Sequence, residues 1–159
     1  MTGTLHAQYF PEALRPTTRA RTLRACARAL RDVRGQFDGL VCTGVSGLLM
    51  APTLADRLHC PLLVVRKADG HHSDLPIEGY HAGDRYVLVD DFVSTGATVQ
   101  RVAIQLAKLS PSVHLVGVLS YRAGGCLRLS TDVNVLSDNT SASRPVSYTH
   151  LTLPTKRIV

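Results

Sequence analysis

The sequence predicts a doubly wound α/β domain: a mostly parallel sheet with helices on both faces. Two observations carry that expectation. The apolar runs, such as Leu-Leu-Val-Val at 62–65, are continuous rather than alternating, as parallel strands buried on both faces require. Segments of helical period separate them, giving strand–helix–strand spacing. A length of 159 residues suits one domain. Such a chain buries roughly 70% of its unfolded surface and needs no metal or disulfide staple.

The first helical pattern covers residues 17–34. Leu23, Cys26, Ala27, Leu30 and Val33 share one face, and Arg21, Arg24, Arg28 and Arg31 share another. Pro16-Thr17-Thr18 offers a start with a hydroxyl cap, and Gly35 a stop. Strands follow at Leu40 to Cys42, Pro61 to Val65, Tyr86 to Val89 and Val113 to Leu119. Helices are expected at Leu48 to Leu58 and at Gly96 to Leu109. Residues 68–84 form a polar stretch rich in Gly, His and Asp. The reading is one domain over 1–136, with its core at 38–120, and a tail outside it at 137–159.

Composition removes several classes. Aromatic residues are only 5% of the chain, with no Trp, which argues against a nucleic-acid surface built from stacking rings. The apolar runs are far too short to span a bilayer, and no charged-then-apolar secretion signal opens the chain. Cys26, Cys42, Cys60 and Cys126 make no Cys-x-x-Cys pair and have no His at ligand spacing. They read as reduced thiols, three in apolar stretches, of a cytoplasmic protein. The net charge of +6 is concentrated in residues 1–35, where seven arginines face only Glu12 and Asp32. A solvated helix face accounts for them, with a stripe for phosphate-rich ligands or RNA as the alternative.

In a doubly wound sheet, ligands bind where strands end and loops lead into helices. The strongest signal there is 87–98, Val-Leu-Val-Asp-Asp-Phe-Val-Ser-Thr-Gly-Ala-Thr. An apolar strand delivers two adjacent carboxylates, and a turn of small and hydroxyl residues then opens a helix. Such a turn lets backbone N–H groups converge on a phosphate within the positive field of a helix N-terminus. The carboxylates can accept hydrogen bonds from sugar hydroxyls or hold Mg²⁺ through oxygen or water.

This stretch resembles the signature of type I phosphoribosyltransferases that binds 5-phosphoribosyl 1-diphosphate (PRPP). The resemblance implies that Asp90 and Asp91 bind the ribose 2- and 3-hydroxyls and help position Mg²⁺, through water and PRPP. It assigns the 5-phosphate to Ser94, Thr95, Gly96, Ala97 and Thr98. Thr43-Gly44-Val45-Ser46-Gly47 is similar to the family's diphosphate-binding loop, and Arg66-Lys67 to its basic pair beside the diphosphate. Residues 68–84 take the place of the flexible catalytic loop. There His72, Ile77-Glu78-Gly79 and Gly83 resemble the orotate phosphoribosyltransferases, but Gly70 replaces that subfamily's loop lysine and Ser73 its glycine. His71 and His72 either supply part of the missing donor or are exposed loop histidines. The resemblance covers roughly 38–120; in the family a small hood over the nucleobase comes from the flanking segments.

The implied reaction is a pentosyl transfer. A nucleobase nitrogen displaces diphosphate from C1 of the ribose with inversion, through an oxocarbenium-like transition state and a departing polyanion. It needs a fixed ribose, charge stabilisation on the leaving group and exclusion of water. The implied catalytic set is Arg66, Lys67, His72, Asp90 and Asp91, in a homodimer. The rival is a catalytically weak nucleotide sensor or RNA-binding regulator on the same scaffold, drawing on the arginine-rich helix. A dinucleotide-binding protein fits poorly, because neither Gly-x-Gly-x-x-Gly nor a P-loop is present.

Residues 147–159 resemble a translated sequencing-adapter tail of a kind that recurs on unrelated chains, which would leave the native C-terminus missing. They lack periodicity and follow a Ser-rich, Pro-containing stretch. Deleting them is expected to leave the thermal midpoint within about 2 °C, well under 1 kcal/mol for a domain of this size. A drop of several degrees in a melting scan would show that they pack.

Overall fold

The computed structural model describes residues 11–67 and 75–138. Its centre is four parallel strands: β1 (Gly39–Thr43), β2 (Leu62–Val65), β4 (Arg85–Asp90) and β5 (His114–Ser120). Two short antiparallel strands, β3 (Ile77–Gly79) and β6 (Cys126–Leu129), close the edges in the order β3-β2-β1-β4-β5-β6. All five residues of β1 are buried, so both of its faces lie under helices. Leu40, Cys42, Val87 and Val89 face one core, and Val41, Tyr86 and Leu88 the other. That two-sided burial is why the central strands carry continuous apolar runs.

The first core is covered by α2 (Pro16–Asp32) and α4 (Ala51–Leu58), with α1 (Pro11–Leu14) beside them. Helix α2 buries Thr22, Leu23, Cys26, Ala27 and Leu30, with Val33 half-buried, while Arg21, Arg24, Arg28 and Arg31 are exposed. The four arginines are thus open to solvent, as both the solvated face and the phosphate-binding stripe require. The hydroxyl cap does not form: Arg15 is the N-cap and makes no side-chain cap bond. Pro16, with its preset φ and absent N–H, fits the first helical position and starts the helix one residue early. The helix ends at Asp32 and tightens into a 3₁₀ turn over Arg34–Gln36.

The helix expected at 48–58 is two helices, α3 (Gly44–Leu48) and α4, broken at Leu49-Met50. Pro52 is the cause. Its ring would collide with the carbonyl four residues back and it has no N–H to donate, so a new helix starts and takes Pro52 into its first turn. The other core is covered by α5 (Ala97–Leu109) and α6 (Val133–Ser137). Neither α6 nor the edge strands belonged to the expected set of elements. The two segments assigned to the hood are tied to the body of the domain: α2 lies in the helix layer and β6 extends the sheet.

At the end of the sheet opposite the predicted site, Asp38 and Arg85 form an ion pair at 2.8 Å. The guanidinium hydrogen bond and two backbone N–H donors hold the Asp38 carboxyl down at about 2. Of the cysteines, Cys26 and Cys42 are buried, and burial pushes both thiols up to about 12. Cys60 and Cys126 are only half-buried, fewer buried thiols than the sequence implied, because both lie at the margins of the sheet. No described helix is long and apolar enough to cross a membrane.

Candidate functional site

The strand order reverses between β1 and β4: β1 continues to β2 on one side, β4 to β5 on the other. Loops leaving the carboxyl ends of these two strands diverge, which opens a crevice there. A pocket of about 330 Å³ occupies it, lined by Val45 and Ser46 after β1, Lys67 after β2, and residues of 90–99 after β4.

Asp90 ends β4 and Asp91 follows it; they are 7% and 8% exposed and both line the pocket. The Ser46 hydroxyl donates to Asp90 Oδ1 at 2.6 Å, and the Asp91 N–H donates to the same oxygen at 2.9 Å. Tyr121, at the end of β5, donates its hydroxyl to the Ser46 carbonyl at 2.8 Å. Three strand ends are thereby locked together. Asp91 Oδ2 is buried with no hydrogen-bond partner within the described residues, a costly state for a carboxylate oxygen.

Burial raises the Asp90 carboxyl from 3.8 to about 6, against the opposing pull of the Ser46 hydrogen bond. The stabilising contribution of protonated Asp90 is complete below about pH 4 and is lost as pH rises through about 6. Asp90→Asn, uncharged throughout, is expected to unfold at higher urea than the native chain at pH 7.5, by on the order of 1–3 kcal/mol. The two should converge near pH 4. An unchanged or lower midpoint for Asp90→Asn at pH 7.5 would show that the site pays no desolvation cost for this charge.

After the acids, 92–96 makes a tight turn into α5. Ser94, Thr95, Gly96 and Thr98 line the pocket, while Ala97 does not. Gly96 is the N-cap of α5 at φ +77, where a side chain is strained. A Cβ there would also lie 2.5 Å from Ser137 Cβ and 2.7 Å from the Ser137 carbonyl oxygen, in α6. Gly96→Ala is expected to cost roughly 2–4 kcal/mol and lower the thermal midpoint by about 5–10 °C. A native-like midpoint would refute this packing of α6 against the turn.

The expected diphosphate loop, 43–47, is mostly a short helix rather than an open loop. Gly44 takes φ +64 to turn the chain out of β1, and the Lys67 side chain crosses it. A Cβ on Gly44 would sit 3.2 Å from Lys67 Cε and 3.5 Å from its Nζ. Val45 and Ser46 reach the pocket; Thr43 and Gly47 are buried beneath it. Arg66 does not join Lys67. Successive residues of an extended chain point to opposite sides, and Arg66 pairs with Glu78 of β3. His71, His72, Gly70 and Ser73 lie outside the described residues. The expected loop at 68–84 is not wholly irregular, since 77–79 is strand β3, with Arg66 N–H bonded to the Pro76 carbonyl.

Several residues that the sequence did not single out belong to this neighbourhood, Tyr121, Phe92, Arg122 and Arg101 among them. Phe92 lines the pocket and the Arg122 guanidinium lies 4.9 Å from its ring centroid, a cation–π distance. The Arg122 N–H also donates to the Asp91 carbonyl at 2.9 Å. Arg101 of α5 reaches Thr43 Oγ1 at 3.4 Å.

An acid pair and a helix-opening turn thus meet at the switch point of a doubly wound sheet, the place where such sheets bind ligands. The sequence model of the phosphoribosyl transferase domain matches residues 18–152, and the chain belongs to that family. It is 31% identical over 102 residues to a hypoxanthine/guanine phosphoribosyltransferase of Methanopyrus kandleri, covering 55% of this chain and 54% of that protein. It is 28% identical over 123 residues to an orotate phosphoribosyltransferase of Coxiella burnetii, covering 76% and 59%. The chain thus spans little more than half the length of these relatives. The crystal structure of a purine phosphoribosyltransferase from Pyrococcus horikoshii superposes with a TM-score of 0.51 at 28% identity, over 66% of this chain and 72% of that one. The orotate phosphoribosyltransferase of Aeropyrum pernix has the same fold, at a TM-score of 0.54 and 23% identity, over 64% and 57%.

Proposed function

We propose that this protein transfers a 5-phosphoribosyl group from PRPP to a nitrogen of a nucleobase, releasing diphosphate, with Mg²⁺ as cofactor. The observation that carries the reading is the buried Asp90-Asp91 pair beside a helix-opening hydroxyl turn in one pocket. In it the carboxylates take the ribose hydroxyls, and the turn at 94–98 takes the 5-phosphate. The residues fit a divalent cation, because Asp91 Oδ2 is buried without a partner and oxygen donors are what Mg²⁺ selects. Asp90 and Asp91 would hold the cation, largely through water and the substrate. Bound there, Mg²⁺ would neutralise phosphate charge.

The chain's own contributions are positioning and electrostatics. Ser46 fixes Asp90 and so fixes the ribose. Lys67 and the free amides of 44–46 at the start of α3 face the leaving diphosphate, where charge grows as the C1 bond breaks. Arg66, turned to Glu78, anchors the edge strand instead. The relatives named for orotate and for hypoxanthine/guanine make both a pyrimidine and oxopurines substrates to test.

The test is diphosphate release from PRPP and Mg²⁺ with orotate, uracil, adenine, guanine, hypoxanthine and xanthine offered separately. Turnover with one base is the expected result. No turnover with any base, together with salt-dependent RNA binding lost on replacing Arg21, Arg24, Arg28 and Arg31, would favour the regulatory reading instead.

A further inference from the structure

We propose that Arg101 is an electrostatic positioning residue for the diphosphate end of the pocket, an inference that rests on the function proposed above. Arg101 lies one turn beyond the pocket residue Thr98 on α5, and a helical side chain leans back toward the helix N-terminus. Its guanidinium accordingly reaches the end of β1, where Nη2 is 3.4 Å from Thr43 Oγ1. Thr43 is 3% exposed and directly precedes Gly44, the residue that swings the chain out of the sheet.

The charge of Arg101 is left over. Its Nε is buried with no hydrogen-bond partner, and among the described residues no carboxylate lies within ion-pair distance of it. Two arginines at the sheet are ion-paired, Arg85 with Asp38 and Arg66 with Glu78, and Arg128 of β6 donates to the Leu136 and Asp138 carbonyls. A half-buried guanidinium without a counter-charge is costly to keep. Thr43, a neutral hydroxyl at a long distance, offsets little of that cost.

Lys67 approaches the same turn from another direction, its side chain crossing Gly44. The Thr43-Gly44 turn therefore carries one cation from α5 and one from the end of β2. A diphosphate bound over the turn supplies the missing counter-charge to both. Arg101 does not line the pocket, so its share is a field acting through a poorly screened interior and a fixed Thr43, not a direct ligand bond.

Calorimetric titration of the full chain with inorganic diphosphate, at several salt concentrations, tests this. Arg101→Met is expected to weaken binding on the order of tenfold and to flatten its salt dependence, while Arg101→Lys, which keeps the charge, retains most of the native affinity. A residue that merely packed against Thr43 would leave the salt dependence unchanged. Arg101→Gln, polar but uncharged, should behave as Arg101→Met, and serves if the methionine variant does not fold. If either uncharged variant binds diphosphate within twofold of the native chain, or if Arg101→Lys fails to rescue, the inference is overturned and the proposed function stands. If the native chain binds neither diphosphate nor PRPP, the proposed function fails and this inference with it.

Discussion

Asp90→Asn with Asp91→Asn is expected to lower affinity for PRPP and Mg²⁺ by at least about 10²-fold, the largest binding effect of any change to the site. In the proposed function each carboxylate would accept charge-assisted hydrogen bonds from a ribose hydroxyl, and such bonds contribute roughly 1.5–3 kcal/mol apiece. Both side chains are buried, so water does not compete strongly for them. Asparagine keeps their shape, keeps an oxygen for the Ser46 hydroxyl, and removes the charge. The fold should survive the change, because charged Asp90 is destabilising at neutral pH in the absence of ligand. Calorimetry showing equal PRPP affinity for the native and doubly substituted chains would remove the acid pair from the site.

The second large effect belongs to Lys67. Gly70 stands where the orotate-type loop carries a lysine, and Arg66 is committed to Glu78. In the proposed reaction leaving-group stabilisation would therefore fall on Lys67, whose side chain crosses Gly44 into the pocket. Negative charge on the diphosphate grows as the bond to C1 breaks, so a cation there acts mainly in the transition state. Lys67→Ala is expected to lower kcat by on the order of 10²-fold or more, with a smaller change in PRPP affinity. Weaker PRPP binding at unchanged kcat would make Lys67 a ground-state anchor only.

The central strands were legible because β1 and most of β4 and β5 are buried on both faces, while β2 buries Leu63 and Val65 on one side and packs half-buried Leu62 and Val64 on the other. The edge strands were not. In β3, Ile77 is half-buried while Glu78 and Gly79 are exposed, and every residue of β6 is half-buried. Such segments leave no apolar run to read, and their pairing is decided by the neighbouring strand. The break between α3 and α4 was legible in principle, since Pro52 forbids a helix running on from Leu48.

The site divides in the same way. Asp90, Asp91, Ser94, Thr95, Gly96 and Thr98 are consecutive or nearly so, and the local chain brings them together. Arg66 and Lys67 are adjacent in sequence, but strand alternation sends them to different partners. The Ser46 to Asp90 bond, the Tyr121 tie to Ser46, and the Arg101 approach to Thr43 span 44, 75 and 58 residues. No local pattern announces contacts of that kind; they follow from the strand order.

Determining the crystal structure of this chain with PRPP and Mg²⁺ tests the central claim most directly. The account predicts the 5-phosphate on the amides and hydroxyls of 94–98, the ribose hydroxyls on Asp90 and Asp91, and the diphosphate over Gly44 to Gly47 beside Lys67. A phosphoribosyl group bound elsewhere on the chain, or a pocket left empty at saturating PRPP, would contradict it.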